Sequence, residues 1–397
     1  MTYKILAIEP FYGGSHKAFL DDWQQRSRHS FTVLGLPDKF WRWRMRHSAS
    51  YFARQLREEF AEEQKWDIIF CSDMLNLAEF IGLAPPALRQ LPTIVFFHEN
   101  QLAYPVHDAT KRDSNAILSN FSSALAASEV WFNSCHNRDT LLDGLPGFFQ
   151  RMPDHRPLAE IDLIREKSVI MPLGISLPQV TLPKQNQLSQ NVEHRMKDKC
   201  NSLLDEQTVN EPLHILWAAR WEHDKNPEDF FTALRQLKQH GADFKLSVIG
   251  ESPARIPAIF TNAKQEFNEH IINWGYMPSR AEYERVLTDA DVVVSTAIHE
   301  FFGIGILEAV AAGAYPVLPQ RLAYPEIFND GTQPYQEFFY GQNATELANK
   351  LLELVNIQHS RADIFAHCQV KPQSIAEQYS WEKCAKRLDA QLATVIK

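Results

Sequence analysis

Residues 291–319 read DVVVSTAIHEFFGIGILEAVAAGAYPVLP: strand, loop, helix, turn and strand in one stretch. Val292, Val293 and Val294 form the β-branched run expected of a strand buried on both faces. His299-Glu300-Phe301-Phe302-Gly303 breaks that run. Ile304 to Ala312 then holds good helix formers, with Ile304, Leu307 and Ala311 at helical spacing. Gly313 is a natural C-terminal stop, and Tyr315-Pro316-Val317-Leu318 begins the next strand. The loop-to-helix junction has chemical use. A helix N-terminus attracts anions through its unpaired amides and positive dipole end, and Gly303 lets the backbone approach such a ligand. Glu300 and Glu308, eight positions apart, can both face one cleft and accept hydrogen bonds from a ligand rich in hydroxyls. The same residues also fit a buried βαβ unit with a solvated Glu308.

Working outward, both halves repeat this alternation. Tyr3–Glu9, Phe31–Leu36, Asp67–Ser72, Thr93–Phe97, Val130–Ser134 and Ser168–Met171 read as strands of a first domain, residues 1–178. Pro10 to His16 reads as a loop, with a helix beginning at Lys17. His214–Ala219, Lys245–Gly250 and Ile271–Gly275 precede the 291–319 unit in a second domain, residues 213–380. Residues 179–212 are polar, rich in Gln, Asn and Lys, and read as an interdomain connection. Residues 381–397 read as an amphipathic helix packing back across the domains. The expected fold is α/β, with two Rossmann-like doubly wound domains facing a cleft.

Composition narrows the function class. At 397 residues the chain can fill two cores, and 45% hydrophobic with 22% charged residues is ordinary for a globular protein. The apolar run Ile5 to Ile8 is far shorter than a signal-peptide core, and no run approaches membrane-spanning length, so a cytoplasmic location is expected. Five scattered cysteines with no C-x-x-C pair argue against a disulfide framework and a thiolate zinc site. The net charge of −9 opposes a nucleic-acid partner in general, but most of it lies in the second half. The first half is nearly balanced and rich in arginine, which pairs with phosphate and stacks on rings.

Several residues stand where α/β sites form. Gly13 and Gly14 follow the first strand without a full G-x-G-x-x-G, and a plain tight turn explains them equally. Arg220 and Lys225 follow the first strand of the second domain, ahead of a helix that Asn226-Pro227 would start; two cations there can neutralise a diphosphate. His98 ends a strand beside Glu99 and Asn100, suited to hydrogen bonding or to orienting a hydroxyl, with His16 a weaker candidate. Asp289-Ala290-Asp291 mimics a metal-binding D-x-D but sits at a strand start and reads as a turn and cap, so no metal is expected. Lys39-Phe40-Trp41-Arg42-Trp43-Arg44-Met45-Arg46-His47 alternates rings and cations, which suits unpaired bases and phosphates. The alternation disfavours a one-sided amphipathic helix on a membrane, although Trp41, Trp43 and the arginines would also suit anionic headgroups, or a helix edge snorkelling over the core.

Glu300, seven residues, Glu308 and the following Pro-Val turn resemble the E-x7-E motif of family 4 retaining glycosyltransferases, which have the GT-B type of fold. That resemblance implies Glu300 on the donor hexose, Glu308 on the nucleotide ribose, Arg220 and Lys225 on the pyrophosphate, and His98 facing the donor sugar. It also implies Gly13, Gly14, Phe302, Gly303 and Ile304 as donor-binding positions. The usual motif has Gly directly after the first Glu, where this chain has Phe301. EPFYGGSHKAF, LPDKFWRWRMRHSA, FFHENQLAYP and HEFFGIGILEAVAAGAYPVLPQRLAYPEIF together resemble the narrower tRNA-queuosine α-mannosyltransferase family. This implies transfer of mannose from GDP-mannose, as co-substrate, to queuosine in aspartate tRNA. Such an acceptor fits the rings and cations of Lys39, Trp41, Arg42, Trp43, Arg44 and Arg46, with His16 as a weaker candidate on the same side. Two alternatives remain on the sequence: a lipid or small-molecule acceptor with another nucleotide-sugar, and a non-catalytic sugar-nucleotide-binding module.

Overall fold

The structure, a computed structural model, describes residues 1–60, 65–105, 112–178, 212–357, 361–366 and 368–396. The polar stretch expected to connect the domains, residues 179–212, lies outside these apart from residue 212.

Six strands of the first half, Lys4–Glu9 (β1), Ser30–Gly35 (β2), Ile68–Ser72 (β3), Thr93–Phe97 (β4), Glu129–Phe132 (β5) and Ser168–Ile170 (β6), form one sheet in the order β2-β1-β3-β4-β5-β6. Leu213–Ala218 (β7), Phe244–Ile249 (β8), Ile271–Gly275 (β9), Val292–Val294 (β10), Tyr315–Pro319 (β11) and Phe339–Tyr340 (β12) form a second, in the order β12-β11-β10-β7-β8-β9. The paired strands in both sheets are parallel. Helices cover both faces, so Ile5–Ile8, Ile68–Cys71 and Ile94–Phe97 are almost completely buried and had to be apolar throughout. The two-residue β12 carries too little pattern to be read from sequence.

Two expectations are corrected. The first helix spans Gly14–Arg26, so the glycine pair and His16 belong to its N-terminus and not to a preceding loop. The ring–cation alternation after Lys39 is helical from the start, as the first turns of Trp41–Glu59. Helical spacing sends Met45, Ala49, Phe52 and Leu56 to the core while Phe40 and Trp43 stay exposed. The argument from alternation against a one-sided helix therefore fails on geometry.

The chain returns to the first half at its end. Ile175 and residues 379–381 exchange backbone hydrogen bonds, and a side chain at Gly174 would collide with the Trp381 indole. Helix Trp381–Val395 then packs against Gly14–Arg26. Buried Asp389 accepts from Trp23 Nε1 at 2.9 Å, Ser27 Oγ at 2.6 Å and the Arg28 amide at 3.0 Å. Removing a buried acceptor strands its donors, at about 1–3 kcal/mol each. Asp389→Ala should therefore lower stability by about 2–3 kcal/mol in denaturant unfolding, with Asp389→Asn recovering part of it; an unchanged midpoint would show that this seam contributes little.

Candidate active site

Ligands of parallel sheets gather beyond the carboxyl ends of strands, where neighbouring strands send their chains to opposite faces. Those points lie between β1 and β3 in one sheet and between β7 and β10 in the other. Both open on one cleft of about 700 Å³. Of the residues singled out from sequence, Gly13, Gly14, His16, Trp41 and His98 line it from the first half. Arg220, Lys225, Glu300, Phe302, Gly303 and Ile304 line it from the second. Lys39, Arg42, Trp43, Arg44, Arg46 and Glu308 are outside its lining.

Lys225 stands at the centre of the second wall. It is 7% exposed, and its Nζ donates to the His299 carbonyl at 2.9 Å and to Glu300 at 3.1 Å, with Asp224 3.3 Å away. Burial opposes its charge, but Glu300 and Asp224 outweigh that and raise its pKa. The two loops that carry these groups are zipped together. The amides of Ile298 and His299 donate to the Asp224 carbonyl, and the Thr296 hydroxyl donates to the Lys225 carbonyl. Arg220 is exposed and makes a long 3.4 Å contact with Glu222, leaving its guanidinium accessible to an anion. His299 was not singled out from sequence; burial, then Lys225, depresses its pKa to about 4, so it is neutral near pH 7.

Gly303 caps helix Ile304–Ala311 at φ +95°, and a Cβ there would lie 2.9 Å from the Tyr324 ring, so glycine is required on both counts. Ile304 and Gly305 line the cleft, and the first amides of a helix have no acceptor within it. Glu308 departs from the expectation that both glutamates face the cleft. It lies within the helix and is held by Arg280 at 2.8 Å and the Tyr283 hydroxyl at 2.9 Å, both from helix Arg280–Asp289. The D-x-D resemblance resolves structurally: Asp291 accepts from the His214 amide at 2.9 Å, and the Asp289 carbonyl meets His214 Nδ1 at 2.9 Å.

The opposite wall carries a cluster of ionisable groups. The His98 amide donates to buried Asp73 at 3.0 Å, and its carbonyl accepts from Asn133 at 2.8 Å. Glu9, at the end of β1, accepts from the Phe11 amide and the Ser72 hydroxyl, each at 2.9 Å, while its other oxygen lies 3.1 Å from His16 Nδ1. The His16 ring is 4.0 Å from that of His98. Burial works against a charge on His16, but Glu9, with Asp73 and Glu99, overrides it and lifts the pKa to about 9. Ligand atoms of Glu9, His16 and His98 lie within 4.8 Å of one another, a spacing a cation could use. The Glu9–His16 contact already holds a proton there, which a cation would have to displace.

Contacts across the cleft join the halves. The Ser134 hydroxyl donates to the Phe301 carbonyl at 2.6 Å, and Glu326 accepts from the amides of Cys135 and His136 at the start of helix Cys135–Leu142. Phe301, in the usual glycine position, is buried with its ring 4.5 Å from His299, which in turn meets Tyr104 of the first half. Glu9, Asp73 and Glu99 were readable as polar residues at strand ends; Ser134 and Glu326, far apart in the chain, gave no local signal.

Near the mouth, Trp41 is half-buried in the cleft lining, while Trp43, 57% exposed, stacks on His47 at 4.9 Å. Arg42 lies over the Trp41 ring, Arg44 reaches the Pro37 carbonyl, and Arg46 pairs with Asp113 at 2.7 Å.

Comparison with known proteins gives this geometry its context. Residues 4–175 match the family described as tRNA-queuosine alpha-mannosyltransferase N-terminal, and residues 204–366 match Glycosyl transferases group 1. The tRNA-queuosine alpha-mannosyltransferase of Drosophila melanogaster is 37% identical over 325 residues, 82% of this chain and 81% of that protein. Among solved structures, sucrose-phosphate synthase from Thermosynechococcus elongatus superposes with a TM-score of 0.66 at 14% identity, covering 99% of both chains. Anabaena HepE in complex with UDP and glucose gives 0.63 at 15% identity, covering 99% of this chain and 100% of that one. At such identities these two likenesses speak for the fold, which is GT-B. With its two switch points facing one cleft and this relationship along most of its length, the chain is a glycosyltransferase and belongs to the tRNA-queuosine alpha-mannosyltransferase family.

Proposed function

We propose that this protein transfers mannose, with retention of anomeric configuration, from GDP-mannose to the cyclopentene-diol of queuosine in the anticodon of aspartate tRNA, in the cytoplasm. One observation carries the acceptor side. A single helical turn contributes Trp41 to the cleft wall and Trp43 with its neighbouring arginines to the adjoining surface. Rings and cations leading into a cleft suit an unpaired, splayed-out nucleotide whose neighbours stack outside. The chain's overall acidity confines RNA contact to such a strip.

On the donor side, Arg220, Lys225 and the amides at the start of helix Ile304–Ala311 stabilise the departing diphosphate. Glu300 and His98 hold the hexose, and Gly13 and Gly14 let the first helix approach the donor. Glu308 would meet the ribose by exchanging part of its contact with Arg280 and Tyr283. Front-face attack needs no enzyme nucleophile, and the cations supply the neutralisation that a metal would otherwise give. In this reading Lys225 is pre-charged by Glu300, so donor binding shifts an existing ion pair and creates no new buried charge.

Incubation with GDP-mannose and queuosine-containing aspartate tRNA should add a hexose mass to the digested nucleoside, and chelator should leave the rate unchanged. No increment with GDP-mannose or UDP-sugars would move the acceptor to a lipid or small molecule. Arg220→Ala should lower kcat about 100–1,000-fold with the fold intact, the usual loss for one well-placed donor; near-normal turnover would remove Arg220 from the mechanism. Trp43→Ala should raise KM for tRNA about tenfold with little change in kcat, and the double variant Arg42→Ala/Arg44→Ala should flatten the salt dependence of tRNA binding by about one to two units of slope. Binding unaffected by all three substitutions would place the RNA elsewhere.

A further inference from the structure

The ionisable cluster behind His98 exceeds what sugar binding alone requires. Glu9, His16 and Asp73 are buried, and Ser72 and the Phe11 amide fix the Glu9 carboxylate. His16 is 7% exposed and spends Nδ1 on Glu9, so it lies against His98 more than it reaches toward an acceptor. We propose that the Glu9–His16 ion pair is a positioning device that keeps His98 a neutral imidazole, able to hydrogen-bond a sugar or acceptor hydroxyl without placing a second positive charge beside the reacting sugar. This deepens the transferase reading above and rests on it.

The geometry supports this from three sides. A cation on His16, 4.0 Å from His98, repels a second one. The Nε2 of His98 is buried without a hydrogen-bond partner, so protonating both ring nitrogens would strand a charged N–H. Phe19 and Phe96 pack against the ring at 5.1 and 4.6 Å and offer no counter-charge. Among the described residues, the titratable and charged groups around His98 are Glu9 from β1, His16 from the first helix, Asp73 after β3 and Glu99 after β4, the last two with pKa values raised by burial, and Arg220 and Lys225 across the cleft, whose charges act on Glu99. The carboxylates side with His16, whose ring nitrogen meets Glu9, while Asp73 contacts His98 through its backbone amide. The direction of both shifts agrees: burial, then His16, depresses His98 well below its usual range, whereas Glu9 holds the proton on His16 up to about pH 9. The cluster thus carries its proton on the His16 ring nitrogen that meets Glu9.

The test is a pH titration of the full-length protein labelled with 15N-histidine, with His98 assigned by its loss in His98→Gln. In the wild type, His16 should stay protonated until about pH 9, and His98 should titrate well below the ordinary histidine range. In His16→Gln and in Glu9→Gln the neighbouring charge disappears, so the His98 midpoint should rise by about one pH unit or more. The acid limb of kcat/KM should move upward with it, while in Glu9→Gln the rate at high pH is largely kept. A His98 that titrates near 6.5 in the wild type, or midpoints that coincide in all three proteins, would overturn the proposal. So would a loss of activity equal at every pH, the mark of a merely structural role. Should one variant fail to fold, the wild-type titration and the other variant still decide. The spectra need no acceptor, so a wrong acceptor would silence the rates while leaving the histidine titrations readable.

Discussion

Lys225 can be a buried cation only because Glu300, Asp224 and the His299 carbonyl converge on its ammonium group. Two loops that are 75 positions apart in the chain are thereby locked to one another at the carboxyl ends of adjacent strands. Losing either carboxylate would leave charge under-compensated in a nearly dry site, so binding groups and local stability are the same groups. An anion entering the cleft would meet a positive charge that is already formed and oriented. The glycine cap at 303 belongs to the same design, since its left-handed backbone turns the chain from the Glu300 loop into the helix.

The first wall answers with the opposite arrangement. Its carboxylates are deeper, and its positive charge sits on His16, paired with Glu9. In the proposed reading, one side of the cleft meets a leaving anion and the other meets hydroxyl groups without adding charge. The link between the two is physical as well as electrostatic. Ser134 and Glu326 bond across the divide, and Phe301 fills with an aromatic ring the position where related sequences use glycine. The return of the last helix to the first domain is pinned by Asp389, which accepts from Trp23 and Ser27.

Much of this was legible in the residues. Buried parallel strands must be apolar on both faces, so Val292–Val294 and Thr93–Phe97 could be delimited with their observed bounds. Glycine at 303 announced the turn, and cations or polar groups at strand ends announced the cleft, because parallel sheets leave their ligand sites there. The resemblance carried by Glu300 and Glu308 extended that reading to a reaction. Local pattern failed where length or competition mattered: β12 is too short to show a period, and the ring–cation alternation at Trp41–Arg46 hid a helix whose apolar face starts only at Met45.

Sequence by itself determined the two α/β halves, the family and eleven of the residues that line the cleft, since these follow from burial patterns and from motifs confined to a few neighbouring positions. Tertiary structure decided the charges. Whether Glu308 faces ligand or Arg280, whether His16 or His98 carries a proton, and which side chains join the halves depend on groups brought within a few ångströms from remote parts of the chain. Electrostatic energies at those separations vary with burial and partner distance, and neither quantity is written in the order of the residues.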